Sequence, residues 1–299
     1  MTKKNGALAA IAAYALWGIL PVYWKFVQEV PAFEILCHRM AWSFIFVVLL
    51  LTWRKNWKWL RQAKKHPRTL LTFLGTSCIL ALNWFIYIWA VNTGHILDTS
   101  LGYFINPLFS VFLGVIFLKE RLRLWQGVAV GIAAGGVIYL TLIYGVFPWI
   151  AFSLAFTFGL YGLLRKKAAL DAMEGISLEM AFLFLPAFAY LLYLELAGMA
   201  SFGHAGIMTN ALLAFAGVVT VLPLLLFTYA AKRTTLTTVG ILQYITPTGQ
   251  FLLGVLVYGE PFAQMRVIGF GVIWIALLTY SIEGMIERRK RKFSNTSIT

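Results

Sequence analysis

The feature that most constrains this chain is a series of apolar stretches, each long enough to cross a lipid bilayer. A transmembrane helix needs about 20 consecutive, mostly apolar residues. Ten stretches of about that length cover residues 6–26, 34–53, 70–92, 99–118, 124–143, 147–165, 176–197, 210–230, 235–258 and 266–286. Only 12% of the 299 residues are charged, whereas soluble domains carry about 25%. We therefore predict an all-α integral membrane protein with ten transmembrane helices.

Lysines and arginines are concentrated in alternate connections between the predicted spans. Two precede span one, seven lie between spans two and three, three follow span four, three follow span six, two follow span eight and five close the chain, which makes 22 of the 25. Because cytoplasmic loops carry the excess of positive charge, we predict that both termini are cytoplasmic. The first stretch is long and lacks a small-residue cleavage site, so we expect it to stay as a membrane helix.

One of these basic connections, residues 54–68, also contains Trp57 and Trp59. Basic residues mixed with aromatic ones can bind nucleic acid. Beside a membrane span, however, such a segment more commonly lies against anionic lipid headgroups. We therefore expect membrane lipids, and no nucleic acid, as partners.

An internal repeat relates the two halves of the chain. Ile105-Asn106-Pro107 recurs 140 residues later as Ile245-Thr246-Pro247, and a weaker match at an offset of 144 aligns residues 14–18 with residues 158–162. Spans one to five therefore resemble spans six to ten, and an odd number of spans per copy inverts the second copy in the membrane. Inverted repeats are typical of secondary transporters, in which two opposed halves expose a midplane site alternately to each side. The alternative is that the duplication only builds a large helical bundle.

The same motifs resemble a known family. Residues 100–108 (Ser-Leu-Gly-Tyr-Phe-Ile-Asn-Pro-Leu), followed by Gly114 and residues 118–121, resemble the EamA domain of the drug/metabolite transporter superfamily. More closely, the chain resembles the RarD branch, whose members are usually called chloramphenicol-sensitive proteins or permeases. The pieces that match this branch are residues 14–18, 31, 34–36, 38–39, 83–84, 88–92, 161–162, 165–167 and 243–245.

The resemblance implies ten helices in two EamA repeats, which we expect at residues 1–145 and 146–299. It also implies transport, with export as the direction, of a small organic solute across the inner membrane of a bacterium. It does not identify that solute, and the sequence leaves a homodimer open.

Polar side chains inside the predicted spans are candidates for solute contact, because burying them in hydrocarbon is costly. In span two, Glu34 lies four residues before His38 and thus on the same helical face. One interpretation is a structural network in which Glu34 holds His38 while Arg39 extends outward to the interface. The other assigns Arg39 to an anionic group of the solute and His38 to a protonation switch.

The two repeated prolines predict bends at equivalent places. Proline lacks a backbone donor and clashes with the carbonyl four residues earlier, so Pro107 in span four and Pro247 in span nine are predicted to act as helix hinges. Carbonyls freed at that depth are tolerated where they face a cavity. The alternative is that both bends only shape packing.

Aromatic and amide side chains cluster at similar depths, which favours a pocket for a flat amphipathic solute. The residues predicted to bind it in a central cavity are Tyr14, Trp17, His38, Arg39, Asn83, Trp84, Tyr103, Asn106, Tyr161, Gln243 and Tyr244. For any single aromatic residue, core packing is the alternative. All acidic side chains are predicted near span ends, so we expect no carboxylate at the midplane.

These observations predict a secondary transporter rather than an enzyme. The sequence has no metal-ligand spacing and no phosphate-binding glycine loop, so we expect no metal, no cofactor, no catalytic residues and no direct use of ATP. Two other classes stay open: an intramembrane enzyme acting on a lipid-like substrate, and a membrane scaffold that transports nothing.

Overall fold

The computed structural model describes residues 3–55, 57–93, 95–144, 147–257 and 264–296. Over these ranges the chain forms helices and connections, with no β-strand. The helices are α1 (Lys3–Lys25), α2 (Ala32–Trp53), α3 (Lys58–Lys65), α4 (Pro67–Asn92), α5 (Ile96–Leu118), α6 (Leu124–Tyr144), α7 (Trp149–Lys167), α8 (Ala172–Leu196), α9 (Ile207–Arg233), α10 (Leu236–Leu242), α11 (Ile245–Leu256) and α12 (Gln264–Thr296).

Eight segments within the described residues are long and apolar enough to cross a membrane. They are α1, α2, α4, α5, α6, α8, α9 and the combined segment Leu236–Leu256, which contains α10 and most of α11. The prediction of an all-helical, multi-pass membrane protein is therefore confirmed. The remaining two predicted spans correspond to α7, with 19 residues, and α12, with 33, and neither is among the eight.

The short helix α3 was not predicted, because the basic connection that contains it lacks a long apolar run. Five of its eight residues are polar or basic, and the other three are Trp59, Leu60 and Ala63, so only one face is apolar. Trp59 and Ala63 are buried and belong to a small core cluster with Leu51 of α2 and Phe73 of α4. This apolar face fixes α3 to the ends of its neighbours.

Helix positions repeat along the chain with one spacing. The helices α2, α4, α5 and α6 begin at residues 32, 67, 96 and 124, and α8, α9, α10 and α12 begin 140 residues later, at 172, 207, 236 and 264. The contacts between helices also repeat, with each half packing against the other. α1 contacts α9 and α11 as α7 contacts α4 and α5, and α2 contacts α9 as α8 contacts α4. The two halves thus interdigitate instead of forming separate bundles.

The two prolines behave differently. α5 runs through Pro107 without a break, whereas the equivalent segment of the second half is divided at Gln243 and Tyr244 into α10 and α11. Pro247 is the third residue of α11, a position that tolerates proline because the first-turn N–H groups of a helix have no intrahelical acceptor. The hinges at Pro107 and Pro247 stay predictions, and the structure adds a helix break at Gln243 and Tyr244 in the second half.

The two proline-bearing segments touch each other. A Cβ atom added to Gly240 of α10 would lie 2.7 Å from the carbonyl oxygen of Pro107 and 2.9 Å from Cβ of Ser110. Only glycine allows the two backbones to approach this closely. This contact joins the centres of the two halves.

Candidate functional site

A cavity of about 150 Å³ lies between the two halves. Its nineteen lining residues are Trp17, Leu20, Pro21, Trp24, Arg39, Asn83, Trp84, Tyr87, Thr99, Gly102, Tyr103, Asn106, Leu154, Phe158, Thr220, Leu224, Gln243, Thr246 and Gln250. They come from the last third of α1 and of α4, the first half of α2, α5 and α7, and the middle of α9 and of the α10–α11 segment. The cavity is therefore displaced toward the end of the bundle that carries the α1–α2 and α4–α5 connections.

Positions related by the 140-residue repeat meet in this cavity. Tyr103 of α5 corresponds to Gln243, and Asn106 corresponds to Thr246, and all four side chains line the wall. Equivalent surfaces of the two halves thus face the same space.

Arg39 supplies the charge of the cavity. Its Nε donates a hydrogen bond of 3.1 Å to Oγ1 of Thr220, and its guanidinium carbon lies 4.8 Å from the ring centroid of Trp24 and 4.9 Å from that of Trp84. Among the described residues, no carboxylate oxygen lies within 4.0 Å of the guanidinium nitrogens. The guanidinium is held by aromatic faces and one hydroxyl, without a counter-ion from that part of the chain.

Four amide side chains line the cavity, and one of them, Gln250, donates from its Nε2 to the carbonyl oxygen of Trp17 over 3.5 Å. Asn83 uses its Nδ2 to bond the carbonyl oxygen of Leu154 at 3.0 Å and Oγ1 of Thr157 at 2.8 Å, which joins α4 to α7. The oxygens Oδ1 of Asn106 and Oε1 of Gln243 are buried and have no hydrogen-bond partner among the described residues. A buried polar group without a partner costs about 1–3 kcal/mol, so these two amides are suited to bonding a solute.

Seven of the eleven predicted site residues line the cavity: Trp17, Arg39, Asn83, Trp84, Tyr103, Asn106 and Gln243. Four do not: Tyr14, His38, Tyr161 and Tyr244. Both proline hinge candidates, Pro107 and Pro247, also lie outside the lining.

Tyr14 and Tyr244 are completely buried core residues. The ring of Tyr14 packs against Trp17 and Phe227, with centroids 5.7 and 6.3 Å apart. Tyr244 belongs to the cluster formed by α5, α6, α7 and α12. Neither hydroxyl has a hydrogen-bond partner among the described residues, and neither residue lines the cavity. Both tyrosines therefore fit the alternative of core packing better than that of solute contact.

His38 is turned away from the cavity. Its ring lies 4.9 Å from that of Phe202, and its Nε2 lies 3.8 Å from Oε1 of Glu34. The Glu34 carboxylate accepts bonds from the backbone N–H and the hydroxyl of Ser201, at 2.7 and 2.8 Å, so it ties α2 to the α8–α9 connection. Adjacent helical positions diverge by about 100°, which explains why Arg39 enters the cavity while His38 does not.

Tyr161 belongs to a buried ionic cluster instead. Its hydroxyl donates to Oε2 of Glu179 at 3.0 Å, and the hydroxyl of Thr76 donates to Oε1 at 2.6 Å. Nε of Arg165 lies 3.6 Å from Oε1 of Glu179, and both side chains are fully buried. We call these four residues the Glu179 cluster.

The Glu179 cluster corrects the expectation that acidic side chains lie only near span ends. Glu179 is the eighth residue of α8 and is completely buried. The 140-residue repeat contains a signal that identifies it, because Glu179 occupies the position equivalent to Arg39.

The end of the bundle opposite the cavity is joined by further polar contacts. Glu120, just after α5, accepts bonds from the backbone N–H groups of Leu236 and Thr237 at 2.7 and 2.9 Å, and so caps α10. The Nζ atom of Lys166 lies 3.9 Å from the Glu120 carboxylate and donates to the carbonyl oxygen of Thr234. These contacts connect α5 and α7 to the start of α10.

Sequence reasoning missed several lining residues, among them Trp24, Tyr87, Thr220 and Gln250. Trp24 lies near the end of the predicted span 6–26, where tryptophan usually forms an interfacial belt. Thr220 and Gln250 had one detectable signal, which is that each is a polar residue inside a predicted apolar span.

Comparisons with known proteins agree with this architecture. A model of the EamA-like transporter family matches residues 4–142 and again residues 148–282. The uncharacterized transporter YojE of Bacillus subtilis is 46% identical over 97% of both chains. Protein RarD of Salmonella typhi is 43% identical, over 96% of this chain and 98% of its own. A solved crystal structure with 18% identity superimposes with a TM-score of 0.73, covering 94% of this chain and 98% of its own, and so shares the fold.

The apolar helices and the bacterial transporters that the chain resembles identify a multi-pass protein of the inner membrane. The family model accounts for nearly the whole chain, and RarD matches it from end to end. The chain therefore belongs to the EamA-like transporter family, as a RarD-type member.

Proposed function

We propose that this protein is a secondary transporter that moves a small organic solute across the inner membrane by alternating access. The observation that carries the proposal is the cavity between the halves, which is lined by repeat-related positions such as Tyr103 and Gln243. Two opposed copies that share one site can rock about it and expose it to either side in turn.

The proposed repeats are residues 1–145 and 146–299, each with five membrane-crossing helices, the second inverted relative to the first. The repeated helix starts and the exchange of packing partners between the halves support this division. The two separate matches of the family model support it as well. α7 and α12 then cross the membrane as the equivalents of α1 and α6.

The distribution of basic residues supports cytoplasmic termini. In that orientation the cavity lies in the outer half of the membrane, while the Glu179 cluster and the Glu120–Lys166 contact lie toward the cytoplasm. This arrangement corresponds to an outward-facing state. The inward-facing state requires the Glu120–Lys166 contact to open. Export is the direction that we propose, by resemblance to the family.

The test is solute flux in sealed proteoliposomes that contain the purified protein. Small organic acids, amines, amides and nucleosides are added one at a time outside the proteoliposomes. We expect saturable, protein-dependent uptake of at least one of them. Gln243→Ala should reduce that flux about tenfold or more, because one hydrogen bond to the solute is lost. Gln28→Ala, at an exposed glutamine outside the helices, is the matched control and should transport normally.

Absence of flux for every solute, with protein shown to be folded by its thermal transition, would refute transport and favour a scaffold. Normal flux in Gln243→Ala would place the site elsewhere in the bundle.

A further inference from the structure

We infer that the solute is a small monocarboxylate with a flat body of about one ring, bound through its carboxylate to Arg39. This inference rests on the proposed transport function and narrows it to one substrate class. Charge, hydrogen-bonding geometry and shape each support it.

The charge of the cavity selects for one negative group. In the described part of the chain, Arg39 is the only charged residue that lines the wall. Arg39 is half-buried, and a partly desolvated cation without a carboxylate beside it favours a solute that carries one negative charge. A solute ammonium group would add a second positive charge beside it, and a dianion would leave one of its own charges without a partner.

The geometry of Arg39 favours a planar acid. Thr220 occupies its Nε, and the rings of Trp24 and Trp84 lie against the guanidinium. Its Nη1 and Nη2 groups make no hydrogen bond to any described residue. Two N–H groups that point the same way in one plane match the two oxygens of a carboxylate.

The walls favour a flat, mainly apolar body. Trp17, Trp84, Tyr103 and Phe158 contribute aromatic surfaces. A cavity of about 150 Å³ in another protein holds benzene, and the free volume here is about 150 Å³. Oδ1 of Asn106 and Oε1 of Gln243, which have no partner among the described residues, can accept a hydrogen bond from one further polar substituent, such as a hydroxyl group.

The experiment measures ligand-dependent thermal shifts of the purified full-length protein with four probes that share a phenyl ring but differ in charge. Benzoate is the anion, benzamide the neutral equivalent, benzylamine the cation and phenylalanine the zwitterion, and inorganic phosphate tests for a general anion site. Benzoate is expected to bind about tenfold or more tightly than any of the others, as loss of a charged hydrogen bond predicts.

Variants assign the effect to one residue. Arg39→Gln should lose benzoate binding by about tenfold or more, whereas Arg61→Gln, on the exposed surface of α3, should bind as the wild type does. If Arg39→Gln does not fold, Arg39→Lys should still prefer benzoate to benzamide but bind it more weakly than wild type, because lysine lacks the planar pair of donors.

Equal binding of benzoate and benzamide, tighter binding of benzylamine or phenylalanine, or unchanged benzoate binding in the folded Arg39→Gln variant would each overturn the inference. Preferential binding of phosphate would do the same. If proteoliposomes then transport neutral or cationic solutes, the proposed transport function stands and only the substrate class is wrong. If no solute of any class moves, the transport function itself fails.

Discussion

The Glu179 cluster allows a quantitative test of how this fold is held together. Replacing Glu179 by leucine removes the only carboxylate within 4.0 Å of Arg165 among the described residues, and Arg165 is fully buried. A pair of charges at 3.6 Å interacts by about 5 kcal/mol at an effective dielectric constant of about 20. Removal of one partner from a buried pair typically costs about 3–5 kcal/mol. We therefore expect Glu179→Leu to lower the free energy of unfolding by about that amount.

The double variant separates the charge effect from packing. When both Glu179 and Arg165 become leucine, no buried charge is left alone, and stability should return to within about 1–2 kcal/mol of wild type. Tyr161→Phe removes only one hydrogen bond to the carboxylate of Glu179 and should lower the free energy of unfolding by about 1.5–3 kcal/mol. The measurement is equilibrium unfolding of the purified protein in detergent for all four variants, including Arg165→Leu.

Two outcomes would refute this reasoning. The first is a loss below about 1 kcal/mol for Glu179→Leu, which would mean that the ion pair is not needed to hold Arg165. The second is a double variant that loses as much stability as the two single variants together, because independent effects add and coupled ones do not.

Three further predictions test other contacts. Gly240→Ala should lower the free energy of unfolding by about 1–3 kcal/mol because its Cβ meets the Pro107 carbonyl oxygen. Gly131→Ala, whose Cβ has no contact within 4 Å among the described residues, should raise it by about 0.5–1 kcal/mol. Equal thermal shifts for the two variants would contradict the close approach at Gly240. Asn106→Leu should abolish solute flux without lowering the unfolding midpoint, since the buried Oδ1 of Asn106 has no hydrogen-bond partner among the described residues. A large fall in the midpoint would show that this side chain is structural. Glu120→Ala should lower the free energy of unfolding by about 1–2 kcal/mol, because the carboxylate that caps α10 is lost. An unchanged free energy of unfolding would show that the capping bonds contribute nothing to stability.

The all-helical architecture and the approximate positions of the long helices could be predicted from sequence because each apolar run is long and its breaks are polar. The second half of α9 illustrates the accuracy: the predicted span ends at residue 230 and the helix ends at Arg233. The inward-facing side of each helix could not be predicted. A helix that is apolar all round has no face that composition marks as buried.

Arg39 and His38 illustrate this limit. Both residues lie at nearly the same depth in α2, and the sequence allows either to face a solute. In the structure, Arg39 lines the cavity and His38 lies against Phe202. The difference depends on which side of α2 contacts α9, and this packing arises from contacts far apart in the chain, such as that between Ser43 and Gly217.

The equivalent positions Arg39 and Glu179 carry opposite charges, and the difference has a consequence for the transport cycle. Arg39 faces the cavity without a described counter-ion, while Glu179 is fully bonded within its own half and across to α4. In the proposed mechanism, two identical halves would make the outward and inward states equivalent by a two-fold rotation about an axis in the membrane plane, with equal free energies. Because the halves differ here, the states differ in free energy, and the empty protein rests mainly in one of them. In the proposed mechanism, a bound anion stabilises the state in which Arg39 is most completely enclosed. It therefore changes the free-energy difference between the two states of the empty protein.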